Sequence, residues 1–177
     1  MFEVKGILEF DPVDVSKKHS LQSAWKKVAM VRFPKEDETF MYYKWLLEQR
    51  FGLRIPGGNV FEWKGRLNDP VRGTHVTAIN EIVDDEIYLQ AKSIFNKKEV
   101  SITYDPTIIM CNTKGEKMWW HMKVYSDDIM NIRAAMGLGQ PFHSLHMTIG
   151  LVNPTFVKHN EWVVSNCEKM GMYLPIR

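Results

Sequence analysis

Two short segments of the chain carry the same pair of reactive side chains at the same spacing. GTHVTAIN, at 73–80, and LHMTIG, at 145–150, each contain a histidine and a threonine separated by one residue. The whole chain has only six histidines. Residues two apart on a β-strand point to the same face. Each segment therefore predicts an imidazole beside a hydroxyl, with the intervening residue turned toward the core.

Two such pairs fit the chemistry of phosphodiester transfer. A neutral imidazole takes a proton from the attacking hydroxyl, and an imidazolium gives one to the leaving oxygen. Histidine suits both roles because its pKa lies near neutrality. A threonine hydroxyl can donate to a phosphate oxygen where negative charge develops. This chemistry calls for no metal and no other cofactor. The predicted catalytic residues are His75, Thr77, His146 and Thr148.

These histidines also have other interpretations. A single histidine on a strand is more often structural than catalytic, and threonine is common in strands. Repetition of the pattern in two similar settings favours catalysis. A metal site is the main rival, since His143 and His146 lie three residues apart and His121 or His19 would complete a ligand set. That set lacks the usual cysteine or carboxylate spacing and leaves the threonines without a role.

Hydrophobic periodicity, capping residues and turn residues predict an α+β chain of alternating strands and helices. A stretch rich in proline and glycine, 53–72, is predicted to be a long loop or an insertion. Each His-x-Thr strand is followed by a helix, which indicates two similar halves whose motifs meet across a cleft. The predicted strands are 2–10, 27–33, 74–80, 99–110, 117–125 and 144–152, and the predicted helices are 37–51, 84–95, 126–139 and 158–171.

Length and composition set the class of protein. The 177 residues predict one domain, 1–177. A net charge of +2 argues against a stable complex with long nucleic acid but is compatible with a small phosphate ligand. Cys111 and Cys167 form no metal or disulfide pattern, so we expect two reduced thiols. No signal peptide or membrane-spanning run is visible. We therefore expect a cytoplasmic protein with no membrane partner.

Beyond the spacing argument, the segments HVT and HMT resemble the signature of the two-histidine (2H) phosphoesterase superfamily, which includes the LigT-like RNA cyclic phosphodiesterases. The resemblance implies a bilobal fold, in which two pseudo-symmetric β-sheet lobes with outer helices surround a central cleft. Longer blocks resemble one branch, the bacteriophage anti-CBASS phosphodiesterases that act on cyclic oligonucleotides. These blocks are KGILEFDPVDVSKKH at 5–19, RGTHVTAIN at 72–80, WWHMKVYS at 119–126 and MGLGQPFHSLHMTIGLVN at 136–153.

This branch implies a substrate and a reaction. The substrates would be cyclic di- or trinucleotides, the alarm signals of bacterial antiphage defence, and metal-independent cleavage of a 3′–5′ linkage would silence them. Two alternatives remain open at this point. One is an RNA-processing enzyme that opens 2′,3′-cyclic ends, and the other is a noncatalytic module that sequesters cyclic nucleotides. Both intact motifs argue against the second, because a pure binder needs no acid–base pair.

Several aromatic and basic residues are candidates for substrate binding. Trp119 and Trp120 are adjacent on a predicted strand and face opposite sides, so one is expected in the core and the other could stack on a base. The pattern does not decide which. His121 shares a face with Trp119. The remaining candidates for contacts to phosphate or base are Arg72, Lys18 and Trp25.

Overall fold

A computed structural model describes residues 1–12, 26–34, 37–51, 73–113 and 117–152. Within these ranges the chain forms strands and helices in the order strand, strand, helix, strand, helix, strand, strand, helix, strand. Their bounds are β1 Phe2–Phe10, β2 Lys27–Arg32, α1 Glu38–Phe51, β3 His75–Glu81, α2 Asp85–Phe95, β4 Glu99–Thr113, β5 Lys117–Tyr125, α3 Asp127–Ala135 and β6 His146–Val152.

The strands form a closed barrel in the order β1-β2-β3-β6-β5-β4. Every neighbouring pair is antiparallel, including β4 with β1, which closes the barrel. The predicted α+β class is therefore confirmed. The two strands that begin with the motif histidines, β3 and β6, are direct neighbours even though they lie far apart in the sequence.

Most predicted elements within the described ranges are confirmed, with two differences. Strand β4 continues to Thr113, so Cys111 and Asn112, which lie beyond the predicted strand 99–110, are paired with β5. Helix α3 ends at Ala135 rather than at Gly139, because Gly137 has a φ of 70°, a left-handed conformation that ends a helix. The predicted loop 53–72 and the predicted helix 158–171 lie outside the described residues.

Helices α2 and α3 are fixed at their N-termini by the side chains of Asp84 and Ser126. The Asp84 carboxylate accepts hydrogen bonds from the backbone N–H groups of Glu86 and Ile87 at the start of α2. The Ser126 hydroxyl accepts from the N–H of Ile129 in α3 and donates to the carbonyl of Ser101, 2.6 Å away. This second bond ties α3 to β4. Among the described helices, none is long and apolar enough to cross a membrane.

Alternation along the strands divides the sheet into two faces. One, the core face, carries apolar side chains such as Val76 and Met147, which are 0% and 2% exposed. Helix residues join the same cluster, and the ring of Tyr88 in α2 lies 5.2 Å from the ring of Phe10. The opposite face, the motif face, carries the side chains of His75 and the other motif residues, which are intermediate in exposure. Core formation therefore fixes which way the motif residues point.

Arg133 connects three parts of the structure from within the core. Its side chain is 1% exposed. It donates to the carbonyls of Gly139 and Ala78, each at 2.8 Å, and to the carboxylate of Glu81 at 2.7 Å. The register between β2 and β3 skips Ala78, so Arg133 satisfies a carbonyl at an irregular point of the ladder. Helix α3, strand β3 and the segment leading toward β6 are joined by this one guanidinium.

Replacing Arg133 with methionine should lower the free energy of unfolding by about 3–5 kcal/mol, because it leaves two carbonyls and the Glu81 carboxylate, whose side chain is 27% exposed, without their buried donor. Urea denaturation followed by circular dichroism measures the change. Lys92→Met is the matched control. Its ion pair with Asp11, at 3.0 Å, is half exposed, so its removal should cost less than about 1 kcal/mol. Equal losses in the two variants would contradict this role of Arg133.

Candidate active site

The two His-x-Thr motifs meet through their middle residues. Val76 of β3 and Met147 of β6 are register partners in the antiparallel ladder. Continuing that register by one residue in each direction sets His75 opposite Thr148 and Thr77 opposite His146. All four side chains point to the motif face because Val76 and Met147 point to the core. The sequence-predicted residues therefore form a compact quartet on two adjacent strands.

Both motif histidines are held in the same way. Nδ1 of His75 lies 2.8 Å from the carbonyl oxygen of Gly73, and Nδ1 of His146 lies 2.9 Å from that of Ser144. A carbonyl oxygen only accepts, so the proton of each neutral ring belongs on Nδ1. Nε2 then carries the lone pair, which is the form a general base requires. On protonation, Nε2 becomes the donor that a general acid requires.

The ladders beside the motifs are irregular at corresponding positions. Between β2 and β3 the register passes from Thr77 to Ile79, and between β6 and β5 it passes from Thr148 to Gly150. In each motif strand the skipped residue directly follows the threonine. A local two-fold axis through the Val76–Met147 pair relates these features, together with the two Nδ1 bonds. Such bulges re-aim side chains next to functional sites.

Two cross-strand rows run over the motif face. Arg32 is the partner of His75, and His121 is the partner of Thr148. In the second row, Met30 is the partner of Thr77 and Lys123 is the partner of His146. Sequence reasoning missed Arg32 and Lys123. Neither belongs to a His-x-Thr motif, and their position beside the histidines becomes visible only when the pairing of distant strands is known.

His121 and Trp119 of β5 surround His146. Ring centroids are 5.3 Å apart for His121 and His146, and Trp119 lies 5.9 Å from each histidine. Burial, together with the nearby charges of His146 and Lys123, lowers the pKa of His121 to about 4. His121 is therefore neutral near pH 7. Its ring can pack against the His146 ring without competing with His146 for a proton.

A pocket of about 610 Å³ adjoins the quartet at one end. Thr77 and His146 line it from the motif strands, and Lys26, Arg133 and the segment 141–144 form other walls. Its volume lies within the range of small-molecule binding sites. Aromatic, cationic and hydroxyl groups thus surround a space that opens directly beside one facing histidine–threonine pair.

The remaining residues predicted to bind substrate lie in different parts of the structure or outside its described residues. Of the two adjacent tryptophans, one of which was expected in the core, Trp120 is the core residue, 1% exposed, and it offers no stacking surface. Its ring fills the core because its neighbours Trp119 and His121 take the motif face. Arg72, Lys18 and Trp25 lie outside the described residues. Within the described part of the chain, no three His, Cys, Asp or Glu side chains are grouped as metal ligands.

Comparison of the chain with protein-family models, curated proteins and solved structures found no match.

The depressed pKa of His121 predicts a specific pH dependence of stability. In the unfolded chain its pKa is near the ordinary value of 6.5, whereas in the folded protein it is about 4. As the pH falls from 6.5 to 4, the unfolded state takes up a proton that the folded state does not, so the free energy of unfolding decreases. Above pH 6.5 this residue has no such effect.

Urea denaturation of the wild type and of His121→Gln at pH 7 and pH 4.5 tests this. The variant should lose less stability between the two pH values. Proton NMR of the His121 ring provides a direct reading, with an expected midpoint near 4. A midpoint near 6.5 would contradict the buried, neutral state of this ring.

Proposed function

We propose that this protein is a metal-independent phosphodiesterase of the 2H type, which cleaves 3′–5′ linkages of cyclic di- or trinucleotides. The observation that carries the proposal is the Val76–Met147 pairing, which sets two His-x-Thr pairs on one face with both imidazoles held through Nδ1. One face then offers two proton-transfer groups and two hydroxyl donors. This set matches the requirements of phosphodiester transfer.

In the proposed reaction the ribose 2′-hydroxyl next to the scissile phosphate attacks phosphorus in line with the leaving oxygen. Nε2 of one motif histidine takes the hydroxyl proton as the O2′–P bond forms. Nε2–H of the other histidine delivers a proton to the 5′-oxygen as the P–O5′ bond breaks. The products are a 2′,3′-cyclic phosphate and a free 5′-hydroxyl. Water can then open the cyclic phosphate by the same groups in reverse roles.

Thr77 and Thr148 bind the phosphate in this scheme. Each hydroxyl lies opposite a catalytic imidazole in the ladder, so it can donate to a non-bridging oxygen where charge develops. Because the local two-fold axis exchanges the two histidines, a ligand bound in either direction meets one base and one acid. The division of labour is then set by the orientation of the substrate.

The substrate class is supported by the resemblance to anti-CBASS phosphodiesterases and by the surroundings of the quartet. The pocket beside Thr77 and His146 has room for part of a nucleotide, and Trp119 offers a ring next to His146. We propose the bilobal 2H fold for the whole chain and the cytoplasm of a bacterial host as its place of action. There, cleavage would remove a cyclic nucleotide alarm signal.

The decisive assay incubates the purified protein with EDTA and a panel of substrates. The panel contains cyclic di- and trinucleotides and an RNA that ends in a 2′,3′-cyclic phosphate. Mass spectrometry of the products identifies the cleaved bond. Linearised cyclic nucleotides support the proposal, and opening of the RNA end alone would instead support the RNA-processing alternative. Tight binding without any product would make the protein a sequestering module.

His75→Ala and His146→Ala should each lower kcat by about 10²–10⁴-fold, because each removes one proton-transfer group. Thr77→Val and Thr148→Val should each lower kcat by about 10²-fold, because each removes one donor to the developing charge. Thr103→Val, at a strand threonine of β4 outside the quartet, is the matched control and should keep normal rates. Near-normal turnover in either histidine variant would refute the assignment.

Replacing the 2′-hydroxyl next to each phosphate by hydrogen should abolish cleavage of a cyclic trinucleotide while leaving its binding intact, since the nucleophile is lost but the phosphates remain. Turnover by liquid chromatography and binding by calorimetry separate these two quantities. Cleavage of the deoxy compound at an undiminished rate would show that water, rather than the ribose hydroxyl, attacks phosphorus.

A further inference from the structure

Each motif histidine has a cationic side chain as its outer neighbour. Arg32 of β2 is the register partner of His75, and Lys123 of β5 is the register partner of His146. The local two-fold axis through Val76 and Met147 exchanges Arg32 with Lys123, just as it exchanges the two histidines. Two positive charges thus lie on opposite sides of the quartet, one beyond each imidazole.

The Arg32 guanidinium is fixed close to the first motif. Its Nη1 donates to the Glu9 carboxylate at 3.3 Å. Its Nη2 lies close to Gly73: a Cβ atom added to this glycine would be 3.7 Å from Nη2. The carbonyl of Gly73 is the group that holds the His75 ring. A guanidinium is planar and permanently charged, and its fork of N–H donors matches the geometry of a phosphate.

Glu9 is a suitable anchor for this arginine. The hydrogen bond from Lys97 lowers the pKa of the Glu9 carboxyl, and the charge of Arg32 lowers it as well. The carboxylate is therefore ionised at neutral pH and pairs with both cations. Arg32 is 22% exposed at its side chain, so it is oriented by a partner and still accessible to a ligand.

Lys123 occupies the matching position on the other side. Its side chain is exposed, and its charge contributes to the lowered pKa of His121, next to Thr148 in the ladder. Its ammonium therefore acts on the same face as the quartet. Three strand intervals separate Arg32 from Lys123, roughly 14 Å along the sheet at about 4.8 Å per interval, with the quartet between them.

We propose that Arg32 and Lys123 bind the phosphates on either side of the scissile phosphate, and that this pair selects ligands with phosphodiesters on both sides of the cleaved one. A cyclic trinucleotide meets this requirement, because it has two phosphates besides the scissile one. A dinucleoside monophosphate, which has a single phosphate, does not. The inference rests on the proposed function for the position of the scissile phosphate and extends it to a basis for substrate choice.

The test measures binding by calorimetry with two uncleavable probes, a cyclic trideoxynucleotide and a linear deoxydinucleoside monophosphate. Arg32→Gln and Lys123→Gln should each weaken binding of the cyclic probe about tenfold, the loss typical of one charge-assisted hydrogen bond. The double variant should lose about 100-fold, because the two cations contact different phosphates. Binding of the linear probe should change less than about twofold in every variant.

Lys5→Gln is the charge-matched control, since Lys5 lies on β1 and pairs with Glu99 at 2.7 Å. It should bind both probes like the wild type. Arg32→Lys keeps the charge and should lose less affinity than Arg32→Gln, and thermal melting verifies folding. If Arg32→Gln does not fold, Lys123→Gln decides the matter alone, because its side chain is exposed.

Unchanged affinity for the cyclic probe, or equal losses for both probes, would overturn the inference. So would the absence of any binding of the cyclic probe to the wild type. Turnover of ribose substrates by the wild type is a separate measurement. A protein that binds the cyclic probe through both cations but cleaves no substrate would refute the proposed catalysis and leave the role of Arg32 and Lys123 supported.

Discussion

Val76 and Met147 face each other across two antiparallel strands, and their burial determines the geometry of everything on the opposite face. Burying side chains of this size contributes about 1.5–3 kcal/mol each. A slip of one residue in either strand would turn its apolar side chain to the motif face and its histidine toward the core. The register that packs the core is thus the same register that assembles the quartet. Selection for stability and selection for the site act on the same pairing.

Much of this arrangement could be predicted from local sequence. The alternation around His75 and around His146 indicated which residues share a face. The acids of the first turn at 84–86 and the cap at Ser126 marked the starts of two helices. Those signals arise within a few residues, where strand and helix geometry is set. The predicted end of a strand at residue 110 was too early, because pairing with β5 extends the strand beyond its apolar part.

Other parts of the site depend on contacts between distant segments. The neighbours of the motif histidines, Arg32 and Lys123, come from strands that no local pattern assigns to β3 or β6. The choice between Trp119 and Trp120 likewise needed the direction in which β5 presents its two faces. Periodicity separates the faces of one strand, but it does not tell which face meets the core. Tertiary packing supplies that information.

Within the described residues, a single register pair joins β3 to β6, whereas the other neighbouring strands share several. The two halves of the quartet therefore sit on either side of the least extensively paired junction of the barrel. Sections of a protein with few backbone pairs open more readily than the rest. Separation at this seam would pull the two imidazoles apart while leaving most of the core intact. The separation of the His75 and His146 rings would therefore report directly on whether the barrel is closed.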